Sequence, residues 1–177
     1  EPTATPTAPA PTACGQIDIQ ITQGADDVEE DRADGSIYTN STDLEMSRDP
    51  GNHEAQTIGL RFAQVTVPAG ATITSAAIRF GVDEVDTVTT TLRIRTQAVD
   101  DAPLFDATPH AISNLPASQA AIVWENIAAW TIVGSVEQTP NLAAIVQEVV
   151  SRRDWRSGNA LAFIIDGDGR RTAIAYE

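Results

Sequence analysis

The chain has 177 residues, 42% apolar but only 5% aromatic, with 11 arginines against 25 acidic residues for a net charge of −14. Aliphatic side chains must therefore build the core, and the length fits one domain. The charge excludes the basic footprint that nucleic acid or an anionic membrane requires, and the complete lack of lysine excludes Schiff-base and lysine-base chemistry.

Residues 1–14 read as a leader or linker. Its first 13 positions hold only Glu, Pro, Thr and Ala, with prolines at Pro2, Pro6, Pro9 and Pro11. Such composition cannot bury a core and favours an extended polyproline-type stalk. Cys14 is the only cysteine, so no internal disulfide can form. It reads as a bystander or an inter-subunit bridge. The prolines and Cys14 are the expected assembly contacts. No stretch reaches the roughly 18 apolar residues of a membrane span, and without an initiator Met or a signal peptide the chain is expected to be a processed product.

The pattern over residues 15–177 is mostly β. Ile17, Ile19 and Ile21 alternate with Asp18, Gln20 and Thr22, which predicts a strand with one buried face. Next come Asp26, Asp27, Glu29, Glu30, Asp31 and Asp34, six carboxylates interrupted by one basic residue, Arg32. Such a run is either a solvated acidic loop or a set of oxygen ligands for a hard cation. Ca²⁺ takes about 6–8 oxygens and accepts them from irregular loops. For the second reading, Asp43 with Glu45 and Asp83 with Glu84 must converge on the run.

Ile58, Leu60 and Phe62 alternate in turn, and Val65 and Val67 lead into the turn Pro68-Ala69-Gly70. Residues 73–82 predict a strand with Ile78, Phe80 and Val82 on one face. Leu92, Ile94 and Thr96 face inward opposite Arg93 and Arg95. The apolar segments 121–124 and 160–165 are expected to lie centrally between two sheets. Asp166-Gly167-Asp168-Gly169 is expected to make a tight hairpin into residues 171–176. Between these strands, Leu142, Ile145, Val146, Val149 and Val150 follow helical spacing, with Thr139 as the N-cap and Pro140 in the first turn. This predicts one short amphipathic helix over about 139–153. The whole is a mainly β, jelly-roll-like antiparallel sandwich.

The ordered motifs carry a resemblance. Asp26-Asp27-Val28-Glu29-Glu30, Ser41-Thr42-Asp43-Leu44-Glu45, Gln56-Thr57-Ile58-Gly59-Leu60-Arg61-Phe62, Val67-Pro68-Ala69-Gly70-Ala71-Thr72-Ile73, then Trp155 and Ser157-Gly158-Asn159-Ala160-Leu161 occur in that order. Over residues 17–177 the chain resembles the DNRLRE-type domains and related carbohydrate-binding modules of large secreted bacterial proteins. The resemblance implies a jelly roll, secretion and often a bound Ca²⁺, with Asp26, Asp27, Glu30, Asp43 and Glu45 at the matching acidic positions. It assigns no ligand, because fold and function are separable. The chain departs from the pattern by ending at Glu177, where such modules usually add one more apolar strand.

The candidate metal ligands are thus Asp26, Asp27, Glu29, Glu30, Asp43, Glu45, Asp83 and Glu84. Trp124, Trp130 and Tyr38 are candidates for stacking on sugar rings, against the commoner role of aromatics in packing; Trp155 and Tyr176 share that ambiguity. Arg61, Arg79, Arg93 and Arg95 on strands are expected to pair with carboxylates across the sheet. His53 and His110 carry no zinc spacing. No nucleophile elbow, phosphate loop or metal-hydrolase motif is present, so the chain is expected to be non-enzymatic. Two functions follow. One is a calcium-stabilised structural module of a bacterial cell-surface filament, exchanging a strand or leader between copies. The other is a polysaccharide-binding module of a larger secreted enzyme.

Overall fold

The computed structural model describes residues 15–51 and 54–177. Pro2, Pro6, Pro9, Pro11, Cys14 and His53 lie outside the described residues. Along the chain run β1 (Asp27–Asp31), β2 (Ile37–Tyr38), β3 (Asp43–Met46), β4 (Gln56–Phe62), β5 (Arg79–Gly81), β6 (Thr91–Thr96), β7 (Ile122–Trp124), β8 (Val136–Gln138), α1 (Ala143–Val150), β9 (Leu161–Asp168) and β10 (Arg171–Ile174).

The fold is an antiparallel β-sandwich. One layer is a six-stranded sheet in the order β2-β1-β4-β9-β6-β7. The other joins the pairs β8-β5 and β10-β3 through a bridge between Val82 and Ala173. Period-2 alternation places Ile58 and Leu60 of β4, Leu92 and Ile94 of β6, and Phe163 and Ile165 of β9 on the inner face, against Leu44, Met46, Phe80 and Ala173. Helix α1 adds Ile145, Val146, Val149 and Val150 to this core. Burying such aliphatics is worth about 1.5–3 kcal/mol each, which lets a chain with few aromatics fold.

A second, smaller core lies on the outer face of the six-stranded sheet. Val28, Ala162 and Ile164 are covered there by Ala102, Phe105 and Ile112. A Cβ on Gly59 of β4 would stand 3.0 Å from Phe105 and 3.1 Å from Ile112, so the covering segment can approach only over a glycine.

Several expectations change. The acidic run is not an irregular loop but mostly β1 itself, paired with β2 and β4. Its charge hides the strand because burial is made tolerable by tertiary partners, not by hydropathy. Residues 17–22 keep part of the expected alternation, with Ile19 and Ile21 half-buried against the core and Ile17 exposed, but among the described residues they make no backbone–backbone hydrogen bond. Only Arg79–Gly81 of the run 73–82 is laddered. Segment 121–124 yields the edge strand β7, not a central one. The expected hairpin after Asp166 is instead a change of layer, since β9 belongs to the large sheet and β10 pairs with β3. The helix is shorter than expected. Thr139 does not cap it; its Oγ1 accepts from Ile78 N–H at 3.1 Å, and Asn141 Oδ1 accepts from Ala143 N–H at 2.9 Å.

The turn between layers depends on Gly169, whose φ is +90°, and whose Cβ would stand 2.3 Å from the Thr89 carbonyl oxygen. Gly169→Ala is expected to cost about 1–3 kcal/mol from backbone conformation alone, and more from displacing Thr89. Urea denaturation would show this as a lower midpoint at unchanged slope.

Candidate metal centre

The strand period divides the acidic run. In the β1–β4 register Asp27 stands opposite Leu60, Glu29 opposite Ile58 and Asp31 opposite Gln56, all on the inner side, whereas Glu30 stands opposite Thr57 on the outer side. Outer-facing Glu30 is fully buried; its Oε2 accepts from the backbone N–H groups of Ile112 (2.7 Å) and Ser113 (2.9 Å), tying the covering segment to the sheet. Asp26, just before β1, binds Arg61 Nη1 at 2.6 Å, and Arg61 Nε donates to the Ala102 carbonyl. Asp27 accepts from Tyr176 N–H at 2.7 Å, and burial pushes its pKa up to about 6. Glu84 is exposed. Asp26, Glu30 and Glu84 do not line the cavity described next.

Glu29 and Glu45 do meet. Glu29, 3% exposed, sits near the edge of the large sheet and reaches across to β3, where its Oε1 accepts from Glu45 N–H at 2.7 Å. The two carboxyl groups also lie close enough for each to shift the other's titration. Burial, then the Glu29 charge, then Asp43 and Asp49 push Glu45 up to about 8. Burial likewise raises Glu29, against the lowering effect of the Glu45 N–H. Asp43 is raised by burial and then by Asp83. Two carboxylates this close cannot both ionise cheaply without a cation between them.

The pair opens on a cavity of about 230 Å³ at the sandwich edge, lined also by Tyr38, Asn40, Ser41, Asp49 and Gln56. Gln56, 2% exposed, has a buried Oε1 with no hydrogen-bond partner among the described residues. An orphaned buried acceptor costs about 1–3 kcal/mol, and one beside two carboxylates suits a cation ligand. Among the described residues, the side chains that line the cavity offer oxygen ligands, which suits Ca²⁺ over zinc or copper. Among the described residues, no three His, Cys, Asp or Glu side chains gather closely enough to hold an ion alone. Neutral oxygens would have to complete the shell, as calcium allows.

Gln56, Asn40 and Asp49 were not among the candidates from sequence. Gln56 carried a usable signal: it shares parity with Ile58 and Leu60 on β4, and an amide on an apolar parity marks a buried polar site. Of the aromatic candidates, Trp130 is fully buried against Phe80 and offers no face to a sugar. Trp155 is also fully buried, with its Nε1–H donating to the Val67 carbonyl at 3.0 Å. Trp124 is half-buried on β7, and Tyr38 is 44% exposed beside the acidic cavity. Arg93 and Arg95 both bind Asp166, as expected of paired strand arginines. Among the described residues no helix is long and apolar enough to cross a membrane.

No protein-family model matches the sequence, and a search of curated proteins finds no match.

Proposed function

We propose that the chain is a non-enzymatic extracellular module, a calcium-stabilised β-sandwich that associates with copies of itself at a bacterial cell surface. The observation that carries the calcium part is the meeting of Glu29, Glu45 and the partnerless Gln56 Oε1 in one cavity. Glu29 and Glu45 would supply the negative ligands, with Gln56, Asn40, Ser41 and Asp49 as further oxygens. The ion would supply charge neutralisation only, binding β1 and β4 of one layer to β3 of the other. The Pro/Thr leader and the resemblance to secreted modules support the extracellular setting.

The test is thermal unfolding of the metal-free chain with and without Ca²⁺. At 100 times the dissociation constant, a site present only in the folded state adds about 2.7 kcal/mol. For this size that raises the melting temperature by roughly 5–10 °C, with no such rise in Mg²⁺ at equal concentration. Identical melting in Ca²⁺ and in EDTA rejects the calcium part. Monomers at high protein concentration by light scattering reject the self-association part.

A second reading, a carbohydrate-binding module of a larger secreted enzyme, draws on exposed Tyr38 beside the acidic cavity. It predicts polysaccharide retention in affinity electrophoresis that Tyr38→Ala abolishes.

A further inference from the structure

The second layer is splayed open. β5 and β10 touch at the bridge between Val82 and Ala173 and at Asp83 N–H to the Thr172 carbonyl, 3.0 Å. Beyond those contacts they separate around a cleft of about 470 Å³, lined by Leu44, Leu60, Phe62, Ile78, Phe80 and Ile174 among others. Among the described residues no laddered strand fills this part of the layer.

The backbone along one wall is half satisfied. Ile78 and Val82 bond towards β8, through Thr139 N–H to the Ile78 carbonyl and Val82 N–H to the Ser135 carbonyl. Upstream, side chains of α1 and the segment before it take over the same role: Gln147 accepts from Ile73 N–H and Asn141 from Ala76 N–H. Antiparallel alternation then turns the N–H and C=O groups of Arg79 and Gly81 away from β8, into the cleft. Residues 18–21 line the cleft. They have the alternation of a strand, yet make no backbone–backbone bond among the described residues. Besides the packing of Ile19 and Ile21 on the core, one ion pair among the described residues, Arg79 with Asp18, ties them down, and both of its side chains are more than half exposed. Such a pair contributes little. A strand-like segment without a ladder among the described residues thus lies over the open edge of β5, joined to β1 by residues 23–26.

We infer that the cleft between β5 and β10 is filled by residues 17–22 of a second copy of the chain, added as a strand. The inference rests on the self-association proposed above and names its mechanism. The donor matches the acceptor in period and charge: Ile17, Ile19 and Ile21 face the apolar floor, and Asp18 meets Arg79 on an otherwise acidic protein. Exchange of an identical segment repeats the contacts available within one chain, so it costs little. Strand addition contributes the ladder bonds that the loose arrangement lacks. A donor at one end and an acceptor groove elsewhere make a head-to-tail contact, which propagates into filaments when it does not close.

The test uses the full chain in a Cys14→Ser background. Asp18→Cys and Arg79→Cys are made separately, mixed after unfolding and refolding, and treated with a short bismaleimide. Exchange predicts a mixed dimer about tenfold above either self-linked dimer, reflecting the raised effective concentration in the groove, and multimers that survive the Cys14→Ser change. Mixed and self-linked dimers in equal yield overturn the inference. So does a linkage confined within one chain when both cysteines are placed together. If wild-type multimers persist in either case, self-association stands and the exchange falls; if wild type stays monomeric, both fall.

Discussion

Replacing Arg171 by methionine is expected to destabilise the domain by about 3–5 kcal/mol, more than any surface charge change. Arg171 is 1% exposed on β10. Its Nε and Nη2 donate to the Ala128 carbonyl at 3.1 and 3.0 Å, Nη2 also to Ile127 at 2.7 Å, and Nη1 to Val88 at 2.9 Å and Thr90 Oγ1 at 2.6 Å. The guanidinium thus fastens loops 86–90 and 127–130 to one strand. Methionine matches its length but leaves these acceptors unpaired, and backbone carbonyls cannot be substituted away. Nearby Asp86, 1% exposed, binds Arg170 and accepts from Thr172 N–H at 2.8 Å, so it would lose part of its compensating charge. The melting temperature should drop by roughly 10 °C or more. Arg171→Lys should recover only part of this, because an ammonium lacks the planar fork. Arg93→Met, at a side chain 51% exposed, should stay within about 0.5 kcal/mol. Equal melting of Arg171→Met and wild type would remove Arg171 as the polar anchor of this layer.

Arg171 also shows where reading from sequence stops. It shares parity with Ala173, so a strand reading could place it inward, but nothing local says that four acceptors on two distant loops await it. The same division holds elsewhere. Alternation over residues 56–62 and 91–96 was legible because burial and pairing coincide there. The stripe on α1 was legible too, since its apolar positions need only one sheet beneath them. Over residues 17–22 alternation placed Ile19 and Ile21 half-buried as expected, but Ile17 is exposed, and a ladder needs a neighbour with free backbone groups. β1 was hidden for the opposite reason: hydropathy makes Asp27–Asp31 look solvated, although backbone N–H groups of Tyr176, Glu45, Ile112, Ser113 and Ala33 supply its buried carboxylates with partners. The candidate centre was half legible. Glu29 and Glu45 stood among the eight acidic positions, but which of the eight meet depends on register, which a one-residue slip would invert.

That centre gives the other large effect, a reversal of sign on changing Glu45 to Gln. In the metal-free chain Glu45 holds its proton up to about pH 8 because of burial and the Glu29 charge. A carboxyl whose folded pKa lies above its unfolded value binds more protons folded than unfolded, so its contribution is complete below about pH 4.5 and lost as pH rises through 8. Asp27, raised to about 6 by burial, acts in the same direction, as does self-repulsion at a net charge of −14. In EDTA, wild type should therefore melt progressively lower from pH 5 to pH 9. Glu45→Gln removes one of the conflicting charges while keeping an oxygen, so in EDTA at pH 9 it should melt above wild type. In Ca²⁺ the order should invert: wild type gains the roughly 2.7 kcal/mol of a well-occupied site, and the variant gains little, having lost a charged ligand. A Glu45→Gln chain that melts below wild type in EDTA at pH 9 would mean that the Glu29–Glu45 contact is favourable without an ion. The like-charge conflict that points to a cation would then not exist.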